Sequence, residues 1–181
     1  MIGPEETPPV GEEWFDVVDE SDRVIGRERR VVVHRDRLRH RAVHLLVQNA
    51  AGEVFLQKRS RHKDLAAGQW DSSASGHLDV GETYEAAVIR EALEELGFEL
   101  PAPPREIGRF AACRDTGEEF VRVYHARTEG PFTLHPDEIE RGEWVTLERL
   151  EAWLGKRPED FARSFRYLWE RTKAALGASV G

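Results

Sequence analysis

The sequence predicts an α/β protein, a mixed β-sheet covered by helices on both faces. Short β-type runs at 13–18, 43–48, 54–58, 107–113, 120–126 and 143–146 are interspersed with helical patterns at 83–96, 147–154 and 161–175. Strands stand before, between and after the helices without the regular alternation of a parallel βαβ sheet. The 181 residues, 40% hydrophobic and 33% charged, suffice for one core and leave little for a second.

Taken in order, Glu13-Trp14-Phe15-Asp16-Val17-Val18 is a first strand that ends in the polar turn Asp19-Glu20-Ser21-Asp22. Val43-His44-Leu45-Leu46-Val47-Gln48 and Val54-Phe55-Leu56-Gln57-Lys58 flank Asn49-Ala50-Ala51-Gly52, which predicts a hairpin with a short glycine-containing turn. Thr83 to Leu96 is the clearest helix, with Thr83 placed to cap its start and Gly97 to end it. Pro101, Pro103 and Pro104 then impose a loop. Phe161, Phe165 and Trp169 recur at i, i+4 and read as core.

Composition excludes several classes. No apolar run approaches the roughly 20 residues that span a bilayer, and the amino-terminal stretch is acidic and rich in Pro and Gly, unlike a secretory signal. Residues 1–12 are therefore expected to form a flexible tail on a single domain at 13–181, in a cytoplasmic protein. Cys113 is the only cysteine, which rules out an intramolecular disulfide and a four-cysteine zinc site. A net charge of −8 argues against a nucleic-acid binder. Against that background the basic cluster Lys58-Arg59-Ser60-Arg61-His62-Lys63 is either a solvated turn or a landing site for phosphate.

On a wheel of 100° per residue, Glu91, Glu94 and Glu95 of the 83–96 helix share roughly a third of the circumference, and Val88, Ile89, Ala92, Leu93 and Leu96 fill the adjoining arc. Glu91 and Glu95 are like charges at i, i+4, which costs a bare helix a few tenths of a kcal/mol, with only Arg90 close enough to compensate. A divalent cation would reverse that sign, because carboxylate oxygens are suitable ligands for a hard ion such as Mg²⁺. The preceding loop, Gly76-His77-Leu78-Asp79-Val80-Gly81-Glu82, adds a carboxylate and two glycines that permit close backbone approach.

Gly76, five residues, Glu82, seven residues and then Arg90-Glu91-Ala92-Leu93-Glu94-Glu95-Leu96-Gly97 match the full Nudix box, a pattern met by chance on the order of once in 10⁸ start positions. The chain thus resembles Nudix hydrolases. The resemblance implies an α/β/α sandwich around a mixed sheet, the box forming loop, helix, loop. It implies Glu94 and Glu95 as principal metal ligands, Glu91 as a further ligand or water-orienting group, and the Gly76 carbonyl as another ligand. Arg90 would fix the glutamates and Glu82 would steady the loop. The implied chemistry is hydrolysis of a diphosphate linkage in a nucleotide-linked small molecule, with Mg²⁺ or Mn²⁺ neutralising the diphosphate and activating water. Glu91, Glu118, Glu119 and Glu138 are the candidates for general base.

Outside the box the chain resembles the isopentenyl diphosphate isomerase branch, through Val17-Val18-Asp19-Glu20, His34, His40-Arg41-Ala42, Leu56-Gln57-Lys58-Arg59-Ser60, Lys63, Gly68-Gln69-Trp70 and Gly76-His77. That resemblance implies a second metal site at His34, His40 and His77, for Mn²⁺ or Zn²⁺, and a diphosphate grip at Arg59 and Lys63. The isomerase requires a cysteine where this chain has Ser75 and a glutamate where it has Gly117, and a serine hydroxyl is a poor substitute for a thiol in proton transfer at carbon. A hydrolase on an isomerase-like scaffold is therefore the leading reading. Its rivals are the isomerase itself and a nucleotide-sensing module that has lost catalysis. Trp70, Phe110, Tyr124 and Trp144 are open to stacking on a base or to core packing, and the family resemblance is compatible with a homodimer.

Overall fold

The computed structural model describes residues 1–9, 11–100 and 103–177, so that Pro101 of the expected proline loop lies outside the described residues. Strands β1 (Trp14–Val18) and β2 (Val24–Arg29) form an antiparallel pair, followed by the short helix α1 (Arg30–Asp36). The first residues run beside β2, where Ile2 and Arg27 exchange backbone hydrogen bonds of 3.0 Å. Then come β3 (His40–Gln48), β4 (Val54–Arg59), β5 (Trp70–Asp71), β6 (Ala74–His77) and α2 (Tyr84–Leu96). The chain continues through β7 (Arg105–Phe110), β8 (Glu119–Arg127), β9 (Ile139–Val145), α3 (Leu147–Lys156) and α4 (Arg163–Gly177).

β3 to β9 make one mixed sheet in which β3 and β8 are parallel and every other pairing is antiparallel. The predicted hairpin exists, yet β3 and β4 pair only at Val47–Phe55 and Gln48–Val54. Beyond that point the two strands take different partners: β3 pairs with β6 over Ala42–Leu45, while β4 pairs with β5 and β9. Residues 70–77 thus fill a fork in the sheet. Ser73, fully buried, joins its two sides: its Oγ accepts from Val47 N at 2.7 Å and donates to Phe55 O at 2.5 Å, while its own N–H donates to Leu45 O.

Both faces of the sheet are covered, as an α/β/α layering requires. α2 packs on Val43, Leu45, Val47, Phe55 and Tyr124, and α3 and α4 pack on Leu46, Leu56, Val121 and Val123. Phe161, Phe165 and Trp169 are all buried in the latter layer, although Phe161 precedes α4. Two residues assigned to the apolar arc of α2 are corrected: Ile89 and Leu93 are exposed, and the inward face is Tyr84, Ala87, Val88, Glu91, Ala92, Glu95 and Leu96. The wheel is rotated because two glutamates, not two more aliphatics, occupy inward positions. Thr83 caps the helix by accepting from Ala86 N, and Gly97 ends it with φ of 58°, a left-handed conformation favourable to glycine.

Four elements carry weak sequence signals. β2 is half charged, α1 rests on three β-branched valines of poor helix propensity, and β5 and β6 are short and small-residue-rich. The fork account predicts that Ser73→Ala, which leaves Val47 N and Phe55 O unpaired in the core, costs about 2 kcal/mol. Loss of the exposed cap in Thr83→Ala should cost only about 1 kcal/mol. Urea unfolding of the two variants checks this ranking, and the reverse order would contradict it.

Candidate active site

The fork opens onto a cleft of about 680 Å³, whose lining includes Ser75, Gly76, His77, Arg90, Glu91, Glu94, Glu95 and Glu119. β6 and the last two turns of α2 lie side by side here. Ser75 N donates to Glu95 Oε2 at 2.9 Å, and the Gln57 amide donates to the same oxygen at 2.9 Å. Gly76 carries no side chain for a steric reason, since a Cβ there would overlap the Glu91 carboxylate.

Arg90 is the hub of the carboxylates. Its guanidinium donates in a fork to both oxygens of Glu82 at 3.0 and 2.9 Å, to Glu91 at 2.8 Å, to Glu94 at 2.9 Å and to the His77 carbonyl at 2.9 Å. Planar, multidentate recognition of this kind is what arginine provides and lysine does not. One cation nevertheless serves three glutamates. Glu95, fully buried among neutral donors, and Glu91, nearly so, are both held above the ordinary carboxylate range by burial; Glu91 raises Glu95 further, and Arg90 partly offsets the effect at Glu91. Two buried carboxylates short of positive charge are a donor set that fits a hard divalent cation.

A second cluster lies beside the first. His34, His40 and His77 offer nitrogens that all lie within 4.8 Å of one another, packed against Phe15. His34 Nε2 and His40 Nε2 are buried without a hydrogen-bond partner, and His40 Nδ1 lies 2.9 Å from Leu38 O. His77 Nε2 stands 3.1 Å from Glu119 Oε1, and His40 Nε2 stands 3.6 Å from it. Burial holds His34 down at about 4 and lowers His77, so both are neutral at pH 7 with lone pairs to give. Burial works against the Glu119 carboxylate, but the His77 hydrogen bond and the imidazole of His40 beside it outweigh burial and lower its pKa. The orphaned nitrogens fit an ion that accepts imidazole, such as Mn²⁺ or Zn²⁺.

The remaining expected residues sort by position. Arg59 and Lys63 both line the cleft; Arg59 lies 3.5 Å from Asp71, and Lys63 is paired with Glu138. Of the basic cluster, Lys58 and Arg61 pair with Glu140 and do not line the cleft. Among the base candidates, Glu91, Glu119 and Glu138 line the cleft, whereas Glu118 does not and lies 3.7 Å from Arg37. Trp70 and Tyr124 are core, and Phe110 and Trp144 pack against it, so none of the four is a cleft-lining stacking surface. The sequence reading omitted His44 and Asp71, which also line the cleft. His44 falls inside a strand whose apolar residues drew the assignment, and Asp71 belongs to a two-residue strand.

Comparison with known proteins gives the family and the fold. A NUDIX domain profile matches residues 38–166. An uncharacterised Nudix hydrolase of Yersinia pestis is 38% identical over 152 residues, spanning 82% of this chain and 81% of that protein. An isopentenyl-diphosphate Delta-isomerase of Photorhabdus laumondii is 31% identical over 153 residues, 83% of this chain and 86% of that one. Among solved structures, a Deinococcus radiodurans protein superposes with a TM-score of 0.70 at 34% identity, covering 79% of this chain and 89% of that one.

The raised carboxyls at Glu91 and Glu95 give a pH dependence of definite sign. Their folded values lie above the ordinary 4.5, so the metal-free folded state holds protons that the unfolded state has released. That stabilisation is complete below the ordinary value and is lost as pH rises through the raised values. Above the ordinary histidine value of 6.5, where the buried histidines no longer titrate, the melting midpoint of EDTA-treated protein should therefore fall as pH rises to about 8, and Mn²⁺ should raise it more at the upper pH. Calorimetry across that range checks both signs.

Proposed function

This chain belongs to the Nudix hydrolase family, and from that premise we propose that it hydrolyses a diphosphate linkage in a nucleoside-diphosphate-linked small molecule, with Mg²⁺ or Mn²⁺ held by Glu91, Glu94, Glu95 and the Gly76 carbonyl. The observation that carries the reading is the charge of the cleft, where eight carboxylates face four Arg or Lys side chains. A bare diphosphate would be repelled there. With divalent cations the same carboxylates become the means of holding it.

The bound metal would supply charge neutralisation at the diphosphate and acidify the attacking water. The protein's own residues then have separate tasks. Arg90 keeps Glu91 and Glu94 in place and, through Glu82 and the His77 carbonyl, ties the loop to the helix. Ser75 N–H and Gln57 hold one oxygen of Glu95 and leave the other to a ligand. Arg59 and Lys63, which line the same cleft, would grip the phosphate oxygens, with Lys63 released from Glu138 as it does so. Glu138, on a loop outside both carboxylate clusters, is then available to take the water's proton, whereas Glu119 is occupied by His40 and His77. We assign the three histidines, with Glu119, to a second ion that supports the cleft floor.

The isomerase reading fares worse on one observation. Ser75 occupies the cleft position where that chemistry requires a thiol, and the only thiol in the chain, Cys113, does not line the cleft. Glu95→Gln and Glu94→Gln should each lower kcat by about 100-fold or more with the circular-dichroism spectrum retained. Phosphorus NMR of the products from nucleoside di- and triphosphates, sugar diphosphates and isopentenyl diphosphate identifies the bond cut. Wild-type turnover in purified Glu95→Gln would refute the metal assignment, and isomerised isoprenoid without phosphate release would refute hydrolysis.

A further inference from the structure

His44 is a polar side chain of the cleft that has no part in the scheme above. β3 alternates so that His40, Ala42 and His44 share a face, and His44 is 4% exposed and lines the cleft. Its Nδ1 lies 2.8 Å from Ser72 Oγ and 3.7 Å from the Asp71 carboxylate, both residues being buried. Asp71 is in turn fixed by Ser72 N at 2.8 Å and stands 3.5 Å from the Arg59 guanidinium. Burial lowers the His44 pKa, with Asp71 pulling the other way, so the ring is neutral and carries one N–H and one lone pair. With Nδ1 engaged by Ser72, Nε2 is the nitrogen left to offer to the cleft.

The position of the ring determines what it would meet. Ser75 is its partner across the β3–β6 pair, and the Ser75 backbone holds Glu95. His44 and Ser75 therefore form a polar floor that is linked through Asp71 to Arg59 and through the Ser75 backbone to Glu95. A diphosphate gripped by both would bring the group esterified to it over this floor. A hydrocarbon there would strip water from His44 Nε2 and Ser75 Oγ and return no hydrogen bond, a cost that sites built around polar groups impose on apolar analogues. A hydroxyl-bearing group would satisfy both.

We propose that His44, set by Ser72 and Asp71, is a specificity-determining residue that hydrogen-bonds a hydroxyl of the group attached to the diphosphate, so that the enzyme takes sugar-like diphosphates over hydrocarbon ones. The inference rests on the diphosphate-hydrolase reading and narrows its substrate class.

The test compares kcat/KM for ADP and for isopentenyl diphosphate, by phosphate and pyrophosphate release, in wild type, His44→Leu and His44→Gln. Wild type should prefer ADP; His44→Leu should lose about tenfold or more of that preference, through a raised KM for ADP with isopentenyl diphosphate unchanged or improved. His44→Gln, which keeps a donor and an acceptor, should recover most of it. An unchanged ratio, or an equal fall for both substrates, would overturn the proposal and leave His44 a structural residue. If wild type hydrolyses neither compound, the hydrolase reading fails separately, and calorimetric binding of their methylenebisphosphonate analogues with Mn²⁺ decides the proposal by the same ratio. Should His44→Leu not fold, Ser72→Ala releases the ring from its partner and must weaken ADP selectively.

Discussion

The parting of β3 and β4 is the constraint on which the rest of this structure depends. A hairpin that remained paired along its length would close the sheet, and no cleft would form. Here the pairing stops after Val47–Phe55 and Gln48–Val54, and the segment 70–77 is wedged into the gap. The wedge is possible because Ser73 makes, with one hydroxyl, the hydrogen bonds that the two diverging backbones would otherwise lack. Everything chemical is hung on that wedge: Asp71 and Ser72 at its entry, and Ser75, Gly76 and His77 along the strand that faces α2 and β3.

Charge is distributed on this frame so that two buried carboxylates are left short of positive charge. α2 gives two of its inward positions to Glu91 and Glu95, and packing against Gly76 leaves no room for a side chain that might cover them. Desolvation of like charges opposes folding, and Arg90 relieves part of it through contacts with Glu82, Glu91 and Glu94. The histidine cluster is analogous: buried ring nitrogens without partners at His34 and His40 lie next to the Glu119 carboxylate. In both clusters, groups that would be liabilities in a purely structural core are arranged where a ligand can satisfy them.

The lips of the cleft are less tightly held than its floor. The loop between β4 and β5 is anchored by ion pairs at partly exposed positions, Arg30–Asp64 and Lys63–Glu138, which contribute little and are readily exchanged for contacts with an anionic ligand. The floor, by contrast, is built on strand backbone and buried hydroxyls. A rigid floor with exchangeable lips suits a site that must position a diphosphate while admitting and releasing it.

Much of this was legible in the sequence, and the reason is locality. The α2 caps Thr83 and Gly97, the spacing from Gly76 through Glu82 to Glu95, and the aromatic repeat at Phe161, Phe165 and Trp169 are written within a few turns of chain, where period and capping chemistry decide the outcome. The family followed from that same stretch. Tertiary structure alone decided that Ile89 and Leu93 face outward while Glu91 and Glu95 face in, because the rotation of α2 is set by β6 and not by the helix. It alone decided that β6 is a strand, since Ala-Ser-Gly-His has no apolar alternation and was shaped by the room that Glu91 needs. The company of His44, drawn from β3, Ser72 and Asp71, is likewise a product of long-range pairing, which no window of sequence contains.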